Sequence, residues 1–397
     1  MEVYIRNNGG VVTLVLAGRL DTATSQQAIT EIDALLAKQG EVKELVCDAG
    51  QLEYISSSGL RVLLMLAKRY PGFRVVECQP GVYHVFELTG FSKIMTVEQA
   101  LRQLSVDGCE VIGIGGVGTV YRLNDDTIIK VFREGTTLDE VKQEITMSKE
   151  AFVRGMPTAI SFDVVKVDRQ FGLVYELLKA IPLSTYVKQN PQQLDKYARM
   201  YAGLFRQLHA IEIPPGGNIP SVTSRVRQQV NHIRRYFPQE SIDMMLQIID
   251  TIPECNRLLH MDLQTKNAMV QDEELMLIDM GEVGYGHPLF DLGDAYSAMV
   301  TLVGDYDQII GMPRELGVEL WNRAVGYYFE GLSDDLVAHR KQQIEVASCV
   351  RNFSWLALSD SFPEEVIDPC RQLFDVRIGS RFDYILDVCK TFGDWMP

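Results

Sequence analysis

The sequence predicts a small α/β domain followed by a larger α+β domain that begins with strands and continues mostly as helices. Three observations lead to this prediction. Strand-like and helix-like runs alternate over residues 1–105, as in a small sheet covered by helices. Short β-branched runs separated by tight turns then replace this alternation. From Leu183 onward the pattern is mostly helical, except for a loop-and-strand block between Leu258 and Pro288.

The elements of the first domain follow from apolar runs and capping residues. The predicted strands are Val11–Leu16, Glu44–Cys47 and Phe73–Cys78. One helix follows the potential caps Asp21 and Thr22, a second begins near Gly59, and Val97–Leu104 is predicted to be a last short helix. A short polar junction between Ser105 and Cys109 ends this domain, so we assign residues 1–105 and 106–397 to the two domains.

The second domain starts as a β-meander with one inserted helix. The predicted strands are Val111–Gly115, Gly118–Leu123, Thr127–Phe132, Ala159–Val167 and Phe171–Leu178. A helix from about Asp139 to Arg154 is expected between the third and fourth strands, because Gly155 and Pro157 then stop it.

Charge and cysteine usage limit the classes of function. The net charge is −15, of which residues 1–105 contribute −1 and the remainder −14, so a nucleic-acid surface is not expected. The acidic remainder could steer cationic substrates or only keep the surface soluble. Seven cysteines are scattered singly without metal-ligand spacing, which is typical of reduced thiols in a cytoplasmic protein. No apolar run is long enough to be a secretory signal or a membrane span.

A glycine-rich segment opens the second domain. Gly113, Gly115 and Gly118 fit the pattern G-x-G-x-x-G-x-V. The same glycines could begin a dinucleotide-binding unit, but that unit requires a helix directly after them. Here a β-branched strand and a turn follow, which favours a hairpin whose backbone N–H groups can approach phosphate oxygens.

Lys130 lies in the third strand of the meander, within the apolar run IIKVF. A lysine buried in such a strand needs an acidic partner, although an exposed edge lysine is the alternative. Nucleotide phosphates and an acid on the next helix are the expected partners. Glu144 is the best candidate for that acid, and Glu140 and Glu150 are alternatives.

The stretch HMDLQTKN is the most informative part of the sequence. It places Asp262 five residues before Asn267, and Asp279 follows Asp262 by 17 residues, after a turn and an apolar strand. Phosphoryl transfer needs a carboxylate beside the attacking hydroxyl and oxygen ligands for Mg²⁺. Each residue alone would be an ordinary turn or cap residue, but their order after the glycines and Lys130 favours phosphoryl transfer.

Residues 107–397 resemble the aminoglycoside phosphotransferase-like branch of the protein-kinase fold. The resemblance includes the glycine segment, Lys130, VYELL at 174–178, the Leu208-His209 pair, HMDLQTKN and IDMGEVGYGHPLFDLGD. It implies a two-lobed domain with a β-rich N-lobe (106–180) and a helical C-lobe (181–397), and it implies that ATP and Mg²⁺ bind between the lobes.

The same resemblance implies the roles of individual residues. Asp262 would be the catalytic base, Asn267 and Asp279 would bind Mg²⁺, and the backbone of Glu176 and Leu178 would meet the adenine. His209, His260 and Asp291 would be structural. The branch usually has glycine where Met261 stands, and Met280-Gly281 replaces Phe-Gly. Because few residues separate Asp279 from Asp291, a small hydroxyl-bearing acceptor is favoured over a protein substrate.

Residues 1–105 resemble a STAS domain, the fold of bacterial anti-sigma factor antagonists. The matching segments are AGRLDTATS, ELVCDAGQLEYISSSGLRVLL and VFELTGFSKIM. The resemblance implies that Ser57 is a phosphoacceptor that controls binding of a protein partner, although Ser56 stands where the family has aspartate. The alternative is that Ser57 or Ser58 only caps the following helix.

Three functions therefore remain open from the sequence. The favoured one is an ATP- and Mg²⁺-dependent kinase of a small hydroxyl compound with a regulatory or docking STAS module. The second is a signalling adaptor with an inactive kinase-like half. The third is a kinase that phosphorylates a protein, such as its own Ser57 or a partner.

Overall fold

The computed structural model describes residues 1–214, 216–301, 305–358 and 361–395. The chain forms two compact units, Met1–Leu104 and Ser105–Pro397. Each unit has a hydrophobic core of its own. Within the described residues, the helices are too short or too polar to cross a bilayer.

The first unit is a sheet whose five strands lie side by side in chain order. Strands β1 and β2 are antiparallel, and β2 to β5 are parallel. Its elements are β1 (Glu2–Asn8), β2 (Val11–Leu20), α1 (Ser25–Leu36), β3 (Glu44–Ile55), α2 (Ser57–Arg69), β4 (Arg74–Cys78), α3 (Pro80–Leu88) and β5 (Thr96–Gln99). A two-residue strand, β6 (Arg102–Gln103), follows β5.

The predicted helix Val97–Leu104 is wrong, because this segment forms β5 and β6. Thr96 and Val97 pair with Arg74 and Val75 of β4, and β-branched residues suit such an edge position. Tertiary pairing outweighs local helical preference here. Strand β1 and helix α3 were not predicted. The other elements of this unit are confirmed, with β2 and β3 longer than expected.

The second unit opens with an antiparallel sheet in the order β10-β11-β9-β8-β7. Its strands are β7 (Glu110–Ile114), β8 (Gly118–Arg122), β9 (Thr127–Phe132), β10 (Ser161–Val167) and β11 (Gln170–Glu176). Helix α4 (Leu138–Val153) lies between β9 and β10, and a capping box formed by Thr137 and Glu140 starts it. The strand meander and its inserted helix are confirmed.

The remainder of the second unit is helical around a small β block. The helices are α5 (Leu183–Gln189), α6 (Leu194–Ala210), α7 (Val222–His232), α8 (Gln239–Thr251), α9 (Pro288–Tyr296), α10 (Tyr306–Ile309), α11 (Arg314–Tyr328), α12 (Asp334–Ser354), α13 (Glu364–Arg377) and α14 (Phe382–Cys389). The short strands are β12 (Ile181–Pro182), β13 (Arg257–Leu259), β14 (Ala268–Gln271), β15 (Glu274–Leu277) and β16 (Gly284–Gly286). This block holds the predicted loop between Leu258 and Pro288.

Candidate active site

Lys130 lies at the centre of the sheet of the second unit. It occupies β9, where it is opposite Val120 of β8 and Leu173 of β11, and only 9% of its surface is exposed. Its Nζ contacts Glu144 Oε1 at 2.9 Å, Glu144 Oε2 at 3.1 Å and Asp279 Oδ1 at 3.0 Å. Burial alone would lower the pKa of Lys130, but Glu144 and Asp279 outweigh it and the pKa is raised. The amine therefore stays charged between two carboxylates.

The structure selects Glu144 among the three candidate acids. Glu140 is used in the capping box at the start of α4, and Glu150 pairs with Arg154. Sequence reasoning missed Tyr175 of β11, whose hydroxyl donates to Glu144 Oε1 at 2.8 Å. Burial and the negative charge of Glu144 raise the pKa of Tyr175, so this hydroxyl remains a donor. Glu144 is thus fixed from two sides.

The glycines lie in the hairpin formed by β7 and β8, as the sequence predicted. Gly115 N donates to Gly118 O at 2.9 Å, and no helix follows, so the dinucleotide-binding alternative does not hold. A Cβ on Gly118 would lie 2.3 Å from Val131 O, so only glycine allows the hairpin to pack on β9. Gly116 faces open space. The tip of the hairpin therefore leaves room for a ligand.

Asp262 lies in the loop before β14, held by two side-chain amides. Asn267 Nδ2 donates to Asp262 O at 2.9 Å and to Asp262 Oδ2 at 2.8 Å. Gln264 Nε2 donates to Asp262 Oδ1 at 2.9 Å. Burial, followed by the charges of Asp294 and Asp279, raises the pKa of Asp262 well above its usual range. The carboxyl group is oriented and poorly solvated, which suits a group that accepts a proton.

Asp291 at the start of α9 holds the backbone of the Asp262 loop. It is fully buried, and its carboxylate accepts hydrogen bonds from Met261 N at 2.7 Å and His260 N at 3.2 Å. Its Oδ2 also lies 3.2 Å from His209 Nε2. Burial alone would raise the pKa of Asp291, but its bond to His209 outweighs this and the pKa is lowered. These contacts support structural roles for Asp291, His209 and His260.

Met261 has a left-handed backbone, with φ of +65°. Such a conformation is costly for a residue with a side chain. This cost explains why glycine is usual at this position in the aminoglycoside phosphotransferase-like branch. The Met261 side chain is completely buried, and its amide is held by Asp291. The loop therefore keeps its path without glycine.

Asp279 lies two residues after the end of β15 and also has a left-handed backbone, with φ of +62°. The turn Met280–Glu282 comes next, and β16 and α9 follow almost at once. Ile278 N donates to Asn267 O at 3.0 Å, which joins the Asp279 segment to the Asp262 loop. A Cβ on Gly281 would lie 3.4 Å from Glu144 Oε2. Asn267, Asp279 and Lys130 are thereby brought to one region.

The segment after β11 lines a cavity of about 560 Å³. Leu178 contributes to this cavity together with Tyr186 and Val270, whereas Glu176 does not. Glu176 N is bonded to Ile160 O at 3.0 Å, and its side chain accepts from Ile160 N at 2.9 Å. The predicted adenine contact at Leu178 therefore has open space beside it, and the amide of Glu176 is used within the sheet.

Arg351 of α12 is a second residue that sequence reasoning missed. Its Nε and Nη2 donate to Asp294 Oδ1 of α9 at 2.8 and 2.6 Å, and Nη2 also lies 3.4 Å from Met261 O. Both side chains are 15% exposed. Asp294 ends the stretch IDMGEVGYGHPLFDLGD, but no local pattern could have revealed its contact with Arg351, because the two residues are 57 positions apart.

Ser57 is the first residue of α2 in the first unit and is exposed. The capping alternative for Ser57 or Ser58 is wrong, because Ser56 is the N-cap and its hydroxyl accepts from Gly59 N at 3.4 Å. The Ser57 hydroxyl is therefore not needed to start the helix.

Comparisons with known proteins divide the chain in the same way. A model of a family described as phosphotransferase enzymes matches residues 109–319, and a STAS-domain model matches residues 2–104. A protein of Bordetella bronchiseptica named as an anti-sigma factor antagonist is 38% identical over 101 residues, which are 24% of this chain and 85% of that protein.

Solved structures of small-molecule kinases are similar in fold. An ADP-bound aminoglycoside phosphotransferase is 17% identical, covering 72% of this chain and 95% of its own, with a TM-score of 0.46. An ethanolamine kinase of Plasmodium vivax is 12% identical, covering 81% and 93%, with a TM-score of 0.47. A choline/ethanolamine kinase family protein of Mesorhizobium loti is 15% identical, covering 71% and 88%, with a TM-score of 0.44. Similarities this distant identify no substrate.

Proposed function

Since the chain belongs to the phosphotransferase enzyme family and carries an N-terminal STAS domain related to anti-sigma factor antagonists, we propose that it transfers the γ-phosphoryl group of ATP to a hydroxyl of a small acceptor. The observation that carries this proposal is the contact of Lys130 Nζ with both Glu144 and Asp279 beside the Asp262–Asn267 loop. Lys130 and Asp279, which are 149 positions apart, meet there, and this contact supports a site for phosphoryl transfer.

The residues present fit a magnesium nucleotide. Asn267 donates its amide N–H to Asp262, which leaves its amide oxygen available as a metal ligand. Asp279 supplies a carboxylate oxygen. Both are hard oxygen donors of the kind that Mg²⁺ prefers. When bound, Mg²⁺ would neutralise negative charge on the phosphates of ATP during the transfer. The glycine hairpin, with Gly116 facing open space, offers backbone N–H groups to the phosphates.

Each side chain then has a defined task in the transfer. Lys130 binds the nucleotide phosphates and Glu144, fixed by Tyr175, keeps its amine in place. Asp262 accepts the proton of the acceptor hydroxyl, whose oxygen forms a bond to the γ-phosphorus as the bond to the β–γ bridging oxygen breaks. ADP and the phosphorylated acceptor are the products. Gln264 and Asn267 hold the Asp262 carboxylate during this step.

The short connection after Asp279 supports a small acceptor. Only the turn Met280–Glu282 and the strand Gly284–Gly286 precede α9, which begins at Pro288. A kinase that docks peptides needs a longer ordered segment at this position. We therefore include a small acceptor in the proposal.

For the STAS unit we propose binding of a protein partner under the control of Ser57. The relative in Bordetella is named for antagonism of an anti-sigma factor. Ser57 is exposed at the first position of α2, where a phosphate would be tolerated by the helix N-terminus and would change the charge of the surface.

One experiment tests the proposal against its two alternatives. The purified chain is incubated with MgATP and a library of hydroxyl-bearing metabolites, and ADP release and intact protein mass are followed. Release that depends on one metabolite, and is absent in Asp262→Ala, supports the proposal. Phosphate found only on Ser57 supports a protein kinase. The absence of both transfer and ATP binding supports an adaptor.

A further inference from the structure

Helices α9 and α12 together anchor the loop that carries Asp262. They pack with little space between them, since a Cβ on Gly293 of α9 would lie 3.1 Å from Ser348 N of α12. One turn along α12 from Ser348, Arg351 reaches back to Asp294 on α9. Asp291, on the same face of α9, holds the loop at Met261 N. The base of the loop thus depends on side chains from two helices far from it in sequence.

Met261 is the residue at which these contacts converge. Its left-handed backbone, with φ of +65°, is held by a buried carboxylate at the peptide before it, where Asp291 Oδ1 accepts from Met261 N at 2.7 Å. The peptide after it is held by a partly buried cation, where Arg351 Nη2 lies 3.4 Å from Met261 O. That second peptide group is the one that leads into Asp262. Its orientation therefore sets the direction of the Asp262 side chain.

We propose that Arg351 is a positioning residue for phosphoryl transfer, holding the peptide between Met261 and Asp262 while Asp294 holds its guanidinium. This inference rests on the proposed function. Arginine is suited to this task because its planar fork can bond Asp294 through two nitrogens and still direct one N–H toward the carbonyl. Lysine has a single nitrogen, so it can keep the ion pair but cannot reproduce the geometry.

The competing explanation is that the ion pair only ties α12 to α9. A matched pair of variants separates the two explanations. Arg351→Lys keeps the charge but loses the fork, and Arg381→Lys makes the same change in another ion pair of α12, where Arg381 Nη1 lies 3.0 Å from Glu345 Oε1. The structure gives Arg381 no hydrogen bond to the Asp262 loop among the described residues.

We expect Arg351→Lys to lower kcat for ADP release from MgATP by roughly 10–100-fold, because small misplacements of a reacting group have costs of this size. The KM for MgATP should stay within about threefold of wild type, since Arg351 contacts none of the proposed nucleotide ligands. Amide hydrogen exchange of residues 260–263 should accelerate about tenfold in Arg351→Lys. Arg381→Lys should change neither kcat nor this exchange rate.

A second variant, which leaves no unpaired charge, tests whether a loss of stability alone lowers kcat. Arg351→Met with Asp294→Leu removes both charges together, so it leaves no unpaired charge in the interior. It should keep MgATP binding and lower kcat at least as much as Arg351→Lys. Wild-type kcat in both variants, or equal acceleration of exchange in Arg351→Lys and Arg381→Lys, overturns the inference. Absence of turnover in the wild type contradicts the proposed function instead, and unchanged exchange at residues 260–263 would still overturn the role of Arg351.

Discussion

Removing the charge of Lys130 should destabilise the second unit by about 3–5 kcal/mol, the cost of leaving one partner of a buried ion pair unpaired. The Lys130 and Glu144 side chains are only 11% and 8% exposed, so Lys130→Met leaves the Glu144 carboxylate with the Tyr175 hydroxyl and little water. Asp279 loses the same partner, but it is 36% exposed and can be hydrated. The cost therefore arises mainly at Glu144.

Neutralising Glu144 as well should recover most of this loss. In Lys130→Met with Glu144→Gln, the glutamine oxygen still accepts from Tyr175, and no buried charge is unpaired. We expect this double variant to be about 1–2 kcal/mol less stable than wild type, which together with the costs of the two single variants gives a coupling energy of about 3–5 kcal/mol between the two positions. Glu144→Gln alone should cost about 1–2 kcal/mol, because Lys130 keeps its contact with Asp279.

Urea unfolding followed by tryptophan fluorescence and circular dichroism measures these differences. The three tryptophans, Trp321, Trp355 and Trp395, all lie in the second unit, so their fluorescence reports on that unit. Additive costs, with the double variant less stable than either single one, would refute the reasoning. MgATP affinity should be lost in Lys130→Met and should not return in the double variant, because the fold can do without the ion pair and nucleotide binding cannot.

Three further predictions concern the loop, the hairpin and one buried histidine. Asp262→Ala should lower phosphoryl transfer by roughly 10²–10⁴-fold with MgATP affinity nearly unchanged, and wild-type turnover would show that Asp262 is not the base. Gly118→Ala should cost about 2–3 kcal/mol of stability and weaken nucleotide binding, whereas its control Gly116→Ala should cost less than about 0.5 kcal/mol, both read from urea midpoints. Burial, with the nearby positive charges, lowers the pKa of His287 from 6.5 to about 4. The contribution of neutral His287 to the free energy of unfolding is therefore fully present above pH 6.5. About 3 kcal/mol of that free energy should be lost as the pH falls from 6.5 to 4. His287→Asn should flatten this part of the pH dependence of unfolding, and an unchanged slope would contradict the assignment.

Most residues of the candidate site could be named from the sequence because they lie in local patterns. The glycine spacing, the buried lysine strand and the Asp262–Asn267 spacing each reflect a backbone requirement that short stretches of chain can satisfy. Glu144 was preferred over Glu140 and Glu150 without a decisive local signal, and the choice was settled by Lys130 Nζ at 2.9 Å. Tyr175 and Arg351 could not be found, because what distinguishes them is the residue they reach across the fold.

The first unit shows the same limit for secondary structure. Residues of the Val97–Leu104 segment were predicted as a helix, yet pairing of Val97 with Val75 turns the segment into an edge strand. Strand β1 (Glu2–Asn8) is largely exposed, so its sequence lacks the apolar alternation that marks the buried strands. Both errors concern elements whose structure depends on pairing with β2 or β4. The buried strands and long helices were predictable because their own hydrophobic pattern is sufficient.

Calorimetric titration of ATP, with and without Mg²⁺, into the wild-type chain and Asp279→Ala tests the central claim most directly. We predict Mg²⁺-dependent binding to the wild type and its loss in the variant, because the proposed metal ligand and one partner of Lys130 are removed together. Equal affinity of both proteins for MgATP would show that Asp279 does not hold the nucleotide through a metal, and the proposed phosphotransferase site would have to be abandoned.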